Sequence, residues 1–213
     1  MKLEQEIEHL CQMLIKMADL VENNLKDAVS IYYKFDENKL SQINDDIVDL
    51  HERLIEETCL DIMLRERPYA KDLRMVSGIL KLVGDLERLG DHAEDLVEFA
   101  TKLEKCDHHK ILSLDKAVEL AMDMVHNSIL SFVNKDEELA KKVIKSDDIV
   151  DKLYVECIDD IIKEDEKHTC SSKFAIYTTL VVKYIERIAD HAVNVGEWVI
   201  YMLSGFHKDK QIF

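Results

Sequence analysis

The chain has 213 residues, with 44 acidic against 28 basic side chains and a formal net charge of −16. That charge repels nucleic acid and anionic membrane surfaces and favours cations and basic partner patches, so no nucleic-acid partner is expected. One proline and five glycines leave little turn punctuation, which points to long helices with short connections and away from a sheet.

A first helix is expected from about Leu3 to Tyr33, where Leu3, Ile7, Leu10, Leu14, Val21, Leu25 and Ala28 recur at the spacing of an amphipathic helix. Asp36-Glu37-Asn38 is a polar break suited to capping a second helix, with an apolar stripe of Leu40, Ile43, Ile47, Leu50, Leu54 and Met63, out to about Leu64. The same helix holds Asp45 and Asp49 at i and i+4. Arg67-Pro68 should end it and start a third helix over about Pro68 to Leu103. Lys105 to Leu114 reads as the joint between two halves, with Ser113 capping the fourth helix. Within the joint, Cys106, His108 and His109 lack a fourth ligand and a zinc-type spacing, so a polar linker is the plain reading and a soft-metal site the sharper one.

The second half repeats the order of the first. Met122-Asp123-Met124-Val125-His126-Asn127 answers Ala18-Asp19-Leu20-Val21-Glu22-Asn23, and Asp147-Asp148-Ile149-Val150-Asp151 answers Asp45-Asp46-Ile47-Val48-Asp49. A last helix should run from about Ser172 to Leu203 and stop at Ser204-Gly205, and the apolar run from Trp198 to Leu203 reads as core. The fold class is therefore all-α, two tandem three-helix bundles related by an internal repeat, dividing as 1–107 and 108–213. The longest apolar run, Phe174 to Val182, is too short to span a membrane, and the start Met1-Lys2-Leu3-Glu4-Gln5 has no signal-peptide character. Five cysteines without a C-x-x-C fit a reducing compartment, so a soluble intracellular protein is expected.

Glu87-Arg88-Leu89-Gly90-Asp91-His92-Ala93 returns ninety-nine residues later as Glu186-Arg187-Ile188-Ala189-Asp190-His191-Ala192. In the first copy the stripe Leu73, Val76, Leu80 and Val83 runs on into Glu87 and Asp91, with Glu94 and Glu98 beyond. In the second, Ala175, Thr179 and Val182 lead into Glu186 and Asp190, and Val193 replaces Glu94. Acidic i, i+4 pairs arise often by chance in so acidic a chain and usually decorate a solvated face. The signal is their repetition: Asp45 and Asp49 with Glu87 and Asp91, then Asp147 and Asp151 with Glu186 and Asp190. Carboxylates gathered this way point to metal binding, against a purely structural acidic surface, and oxygen ligands suit Mg²⁺, Mn²⁺, Ca²⁺ or iron better than a structural Zn²⁺ site. His92 and His191 fall on the opposite face and read as solvated or inter-helix residues; Arg88 and Arg187 read as ion-pairing residues. There is no Walker loop, G-x-G-x-x-G or G-x-S-x-G, and the only Glu-x-x-His, Glu6 to His9, lies outside the repeat, so an enzyme is not expected.

At the doubled Glu-Arg-x-x-Asp-His-Ala motif, with the Asp-x-x-x-Asp pairs before it and the closing Trp198 to Gly205, this sequence resembles the PhoU family over essentially its whole length. The resemblance implies two three-helix bundles whose acidic faces carry divalent or multinuclear metal ions, with iron, Mn, Mg and Zn as the candidates. It also implies a cytoplasmic, non-enzymatic regulator that represses phosphate-starvation signalling by linking a phosphate ABC transporter ATPase to a sensor histidine kinase. Such a protein would meet the membrane only through partners, and a homodimer is compatible with it. By position, Asp45, Asp49, Glu87 and Asp91 match the family's first acidic site, and Asp147, Asp151, Glu186 and Asp190 the second. Asn194 in place of Asp95 and His126 in place of Glu22 are departures that imply a weaker second site. The first site should bind metal more tightly, because Glu94, Asp95 and Glu98 add carboxylates where the second half adds only Glu197. The rival from another class is a carboxylate-bridged metalloenzyme, a phosphohydrolase or an oxidase; a metal-free helical scaffold is the third reading.

Overall fold

Leu10, Leu14, Met17, Val21, Leu25 and Ala28 are enclosed along one face of α1 (Lys2–Tyr33), as three- and four-residue steps on a helix require. The computed structural model describes residues 2–40, 43, 45–106, 110–208 and 210–211. Among them the remaining elements are α2 (Glu37–Leu40), α3 (Asp45–Arg65), α4 (Lys71–Leu103), α5 (Leu112–Asn134), α6 (Glu137–Glu166), α7 (Ser172–Ser204), β1 (Phe206–His207) and β2 (Lys210–Gln211). α1, α3 and α4 pack as one bundle and α5, α6 and α7 as a second, with α4 lying along α7 between them. The point of division expected near residue 108 falls outside the described residues.

Several local expectations are corrected. The second helix is interrupted: Asp36 caps α2 by accepting from Asn38 N at 3.0 Å, Ile43 is buried but not helical, and α3 begins afresh at Asp45. Its packed face is also not the expected one. Val48, Ile55, Cys59 and Ile62 are buried, whereas Ile47, Leu50 and Leu54 are exposed. α3 carries apolar residues on two faces, and the face beside Asp45 and Asp49 is the one that meets α4. The helix after Pro68 starts only at Lys71, because Arg67 at φ 47° and Ala70 at φ 49° are left-handed and cannot continue a helix. Ser113 is not a cap: Ile111 takes that place, and the buried Ser113 hydroxyl donates instead to Asp160 of α6 at 2.8 Å. The two-stranded antiparallel hairpin was not expected. Gly205, at φ 85°, ends α7 with its N–H on Tyr201 O at 2.8 Å. The chain then folds back so that His207 stacks on Trp198 with centroids 3.9 Å apart.

Equivalent positions of the two halves meet each other between the bundles. His92 and His191 have ring centroids 5.3 Å apart, and Glu22 of α1 lies 3.0 Å from His126 of α5. Asp85 accepts from His191 Nδ1 at 2.9 Å and from Asn194 Nδ2 at 3.0 Å. Its counterpart Tyr184 sets its ring edge-on to His92 and brings its hydroxyl to Asp95. Contacts between equivalent residues are what a local two-fold axis produces.

Candidate functional site

In the first half, α3 and α4 carry carboxylates toward one another, and Gly90 sets how near they come. A Cβ at Gly90 would stand 2.8 Å from Asp45 Oδ1 and 3.0 Å from Val48 Cγ1, so the missing side chain lets the first turn of α3 rest on α4. Glu94 Oε1 accepts from Asp45 N at 3.2 Å and so fills one of the donors a helix start leaves free. Burial, then Asp91, Glu94 and Asp49, push the Asp45 carboxyl up to about 7. Burial and Asp91 also raise Glu87, against the opposing charge of Arg88, and Glu52 is raised by burial and then Glu87, Glu56 and Asp49. Asp45 Oδ1 is buried and meets no hydrogen-bond donor among the described residues.

The second half builds the corresponding groove from α6 and α7. Burial, then Asp151 and Asp190, push Asp147 up to about 6. Asp190 is raised by burial and Glu186, with Lys183 opposing. Lys183 Nζ donates to Glu186 Oε2 at 2.5 Å and stands 5.5 Å from the centre of the Tyr154 ring.

Asp45, Asp49, Glu87 and Asp91 are thus brought together in one groove, and Asp147, Asp151, Glu186 and Asp190 in the other. Among the described residues no three His, Cys, Asp or Glu side chains are already gathered around one point that could hold a metal ion. The donors nevertheless fit a hard divalent cation: they are all carboxylate oxygens, they repel one another, and Asp45 Oδ1 is buried without a hydrogen-bond partner among the described residues. Glu52 belongs to this set and escaped the sequence reading, although it lies one helical step past Asp49 on the same face. Three other expectations are corrected. Glu98 is exposed beside Lys102, one turn beyond Glu94, with which the start of α3 is level. Asp95 turns to His92 and Tyr184 at the junction between the bundles, and its counterpart Asn194 binds Asp85 there. Glu22 and His126 pair with each other at the same junction, so neither departure weakens an acidic groove. His92 and His191 are inter-helix residues; burial, opposed by Asp95, lowers the His92 pKa, and its Nε2 is enclosed without a partner among the described residues. Arg88 ion-pairs with Glu87 and Asp91, whereas Arg187 lies over the Tyr184 ring. Cys106 Sγ contacts Lys102 O, and the suggested site it would form with His108 and His109 lies partly outside the described residues.

Among the described residues no helix is long and apolar enough to cross a membrane. The family model described as PhoU domain matches residues 14–100 and again residues 114–199. The chain is 38% identical over 208 residues to the phosphate-specific transport system accessory protein PhoU homolog of Aquifex aeolicus, covering 96% of this chain and 94% of that one. It is 31% identical over 210 residues to the homolog of the same name in Clostridium acetobutylicum, covering 97% and 96%. The crystal structure of PhoU from Pseudomonas aeruginosa superposes with a TM-score of 0.89 at 31% identity, over 95% of this chain and 99% of that one. With the domain matched once in each half and relatives aligned nearly end to end, this chain belongs to the PhoU family.

Proposed function

We propose that this chain is a non-enzymatic accessory protein of phosphate-specific transport. It acts as a cytoplasmic, metal-binding adaptor between a phosphate ABC transporter ATPase and a sensor histidine kinase, and holds phosphate-starvation signalling off while phosphate is plentiful. The observation that supports this most is the nearly end-to-end alignment with relatives that carry the accessory-protein name. In the first groove Asp45, Asp49, Glu52, Glu87, Asp91 and Glu94 would hold divalent metal, and in the second Asp147, Asp151, Glu186 and Asp190. When bound, a divalent ion supplies the positive charge that offsets repulsion among these carboxylates and ties α3 to α4 and α6 to α7. The net charge of −16 leaves the outer surface suited to basic patches on the partners.

The test is a pull-down with the full chain as bait against the transporter ATPase and the cytoplasmic part of the sensor kinase, in Mn²⁺ and in chelator. It is paired with a phosphate-starvation reporter in cells lacking the protein. Capture of both partners and a reporter switched on in high phosphate are expected. Capture of neither partner, or a reporter that stays off, would overturn the proposal.

A further inference from the structure

The two grooves differ at a matched pair of positions. Gly84 precedes Glu87 by the same step as Lys183 precedes Glu186, and Glu52 follows Asp49 by the same step as Tyr154 follows Asp151. In the first half, the nearest atom a Cβ on Gly84 would meet is Glu52 Oε1, at 3.9 Å, so that end of the groove is open and lined by a carboxylate. In the second half the same end is filled by an ammonium group. Lys183 Nζ is 2.5 Å from Glu186 Oε2, and Tyr154 presents its ring to the charge at 5.5 Å where the first half has Glu52. The two exchanges are complementary, since a lysine needs an anion or an aromatic face beside it and a cation-binding groove needs neither lysine nor ring. Lys183 also acts on Asp190, whose carboxyl its charge helps to hold ionised.

We infer that Lys183 is a resident cation of the second-half groove, which leaves the first-half groove as the divalent-metal centre of this chain and makes the second half metal-poor. The inference rests on the metal reading proposed above. Six carboxylates line the first groove and four the second, where Glu186 is held by the Lys183 ammonium. Arginines also touch the first groove, Arg53 at Asp49 and Arg88 at Glu87 and Asp91, but their side chains are 70% and 59% exposed, and the Asp45, Glu52 and Glu94 carboxylates have no ion pair among the described residues. Lys183, at 39% exposure, is more enclosed. A positive charge held closer to the groove and less exposed to solvent is screened less, and so lowers the affinity for a second cation more, than a charge on a more exposed arginine does.

The experiment is Mn²⁺ titration by calorimetry, with elemental counting, on the full chain. Wild type should bind Mn²⁺, Asp45→Asn with Asp91→Asn should weaken binding at least about tenfold, and Asp147→Asn with Asp190→Asn should leave it within about twofold. Adding Lys183→Met to the first double variant should recover at least about tenfold in affinity, whereas Lys183→Arg, which keeps the charge, should recover none. Circular dichroism confirms folding, and Lys183→Gln replaces Lys183→Met if that variant is not folded. Equal Mn²⁺ loss from the two double variants, with no gain from removing the Lys183 charge, would overturn the inference and leave the metal reading standing. A wild-type protein that takes up no Mn²⁺, Mg²⁺, Fe²⁺ or Zn²⁺ would overturn both.

Discussion

Gly84→Ala and Gly90→Ala make the same chemical change on the same helix and should have different consequences. In a helix open to solvent each would stabilise by up to about 1 kcal/mol through propensity alone. At position 84 the new methyl lies 3.9 Å from Glu52 Oε1, an ordinary contact, so about 0.5–1 kcal/mol of that gain should be measured. At position 90 it lies 2.8 Å from Asp45 Oδ1 and 3.0 Å from Val48 Cγ1. The Asp45 carboxylate can rotate away, but Val48 is fully enclosed and β-branched, so α3 itself must lift off α4. Overpacking of this kind costs about 1–3 kcal/mol, which leaves a net loss of about 0–2 kcal/mol after the propensity gain. Urea unfolding in chelator should therefore place the two variants on opposite sides of wild type, or Gly90→Ala level with it. For a chain of this length each kcal/mol also moves Tm by about 2–4 °C. Gly90→Ala should in addition weaken Mn²⁺ binding, because it displaces Asp45 from Asp91. If Gly90→Ala stabilises as much as Gly84→Ala, α3 does not rest on α4 at this point and the account of the first groove fails.

Three further outcomes are expected. Asp45 has a folded-state pKa raised to about 7, so ionising it costs stability that begins to be lost above its unfolded value and is fully lost once pH passes about 7. In chelator, thermal melts of Asp45→Asn should match wild type near about pH 4 and lie above it at about pH 8; identical curves at both would refute the burial and repulsion assigned to this group. Asp85→Ala removes the acceptor shared by His191 and Asn194 at the junction of the halves and should cost about 2–3 kcal/mol in urea unfolding, with a loss under about 0.5 kcal/mol counting against that network. Finally, α3 leaves Ile47, Leu50, Leu54, Leu60 and Leu64 exposed where the longer α6 leaves Ile149, Val155 and Ile162, so in chelator the α3 amides should exchange with deuterium faster than those of α6, and Mn²⁺ should slow α3 more; equal exchange in both states would contradict it.

The long helices were legible because Leu10 to Ala28, or Val76 to Leu89, repeat one apolar face over many turns, and because Ser204-Gly205 is a stop whose cause is local. What escaped depends on contacts between elements. A serine near a helix start reads the same whether its hydroxyl serves the backbone or, as with Ser113, a carboxylate on another helix. α3 offers two apolar faces, and only the position of α4 decides that Val48 and Ile55 go inside while Ile47 and Leu54 stay out. The eight acidic residues stand out in the sequence because the repeat doubles them. Glu52 was missed because its counterpart is Tyr154, and Lys183 because its counterpart is a glycine, so neither shows as a repeat.

The same pairing explains why the halves had to diverge where they did. A two-fold axis sets each residue beside it near its own copy, so a charged position there cannot stay identical in both halves without facing itself. Glu22 is buried at 8% exposure and its copy lies at 3.0 Å; a second glutamate there would put two carboxylates together, and His126 replaces that repulsion with a hydrogen bond. Burial works to raise Glu22, yet the bonds from Lys26 and His126 hold its carboxyl below the ordinary value. Asp85 and Tyr184, and Asp95 and Asn194, follow the same logic: each junction histidine receives one carboxylate, His191 from Asp85 across the axis and His92 from Asp95 on its own helix. Away from the axis no such conflict acts, since Asp45 and Asp147 never meet, and there the acidic pairs persist in both halves. The exchange of Gly84 and Glu52 for Lys183 and Tyr154 lies in those outer grooves, where symmetry does not demand it. A difference that packing does not require is the kind that a difference in ligand explains.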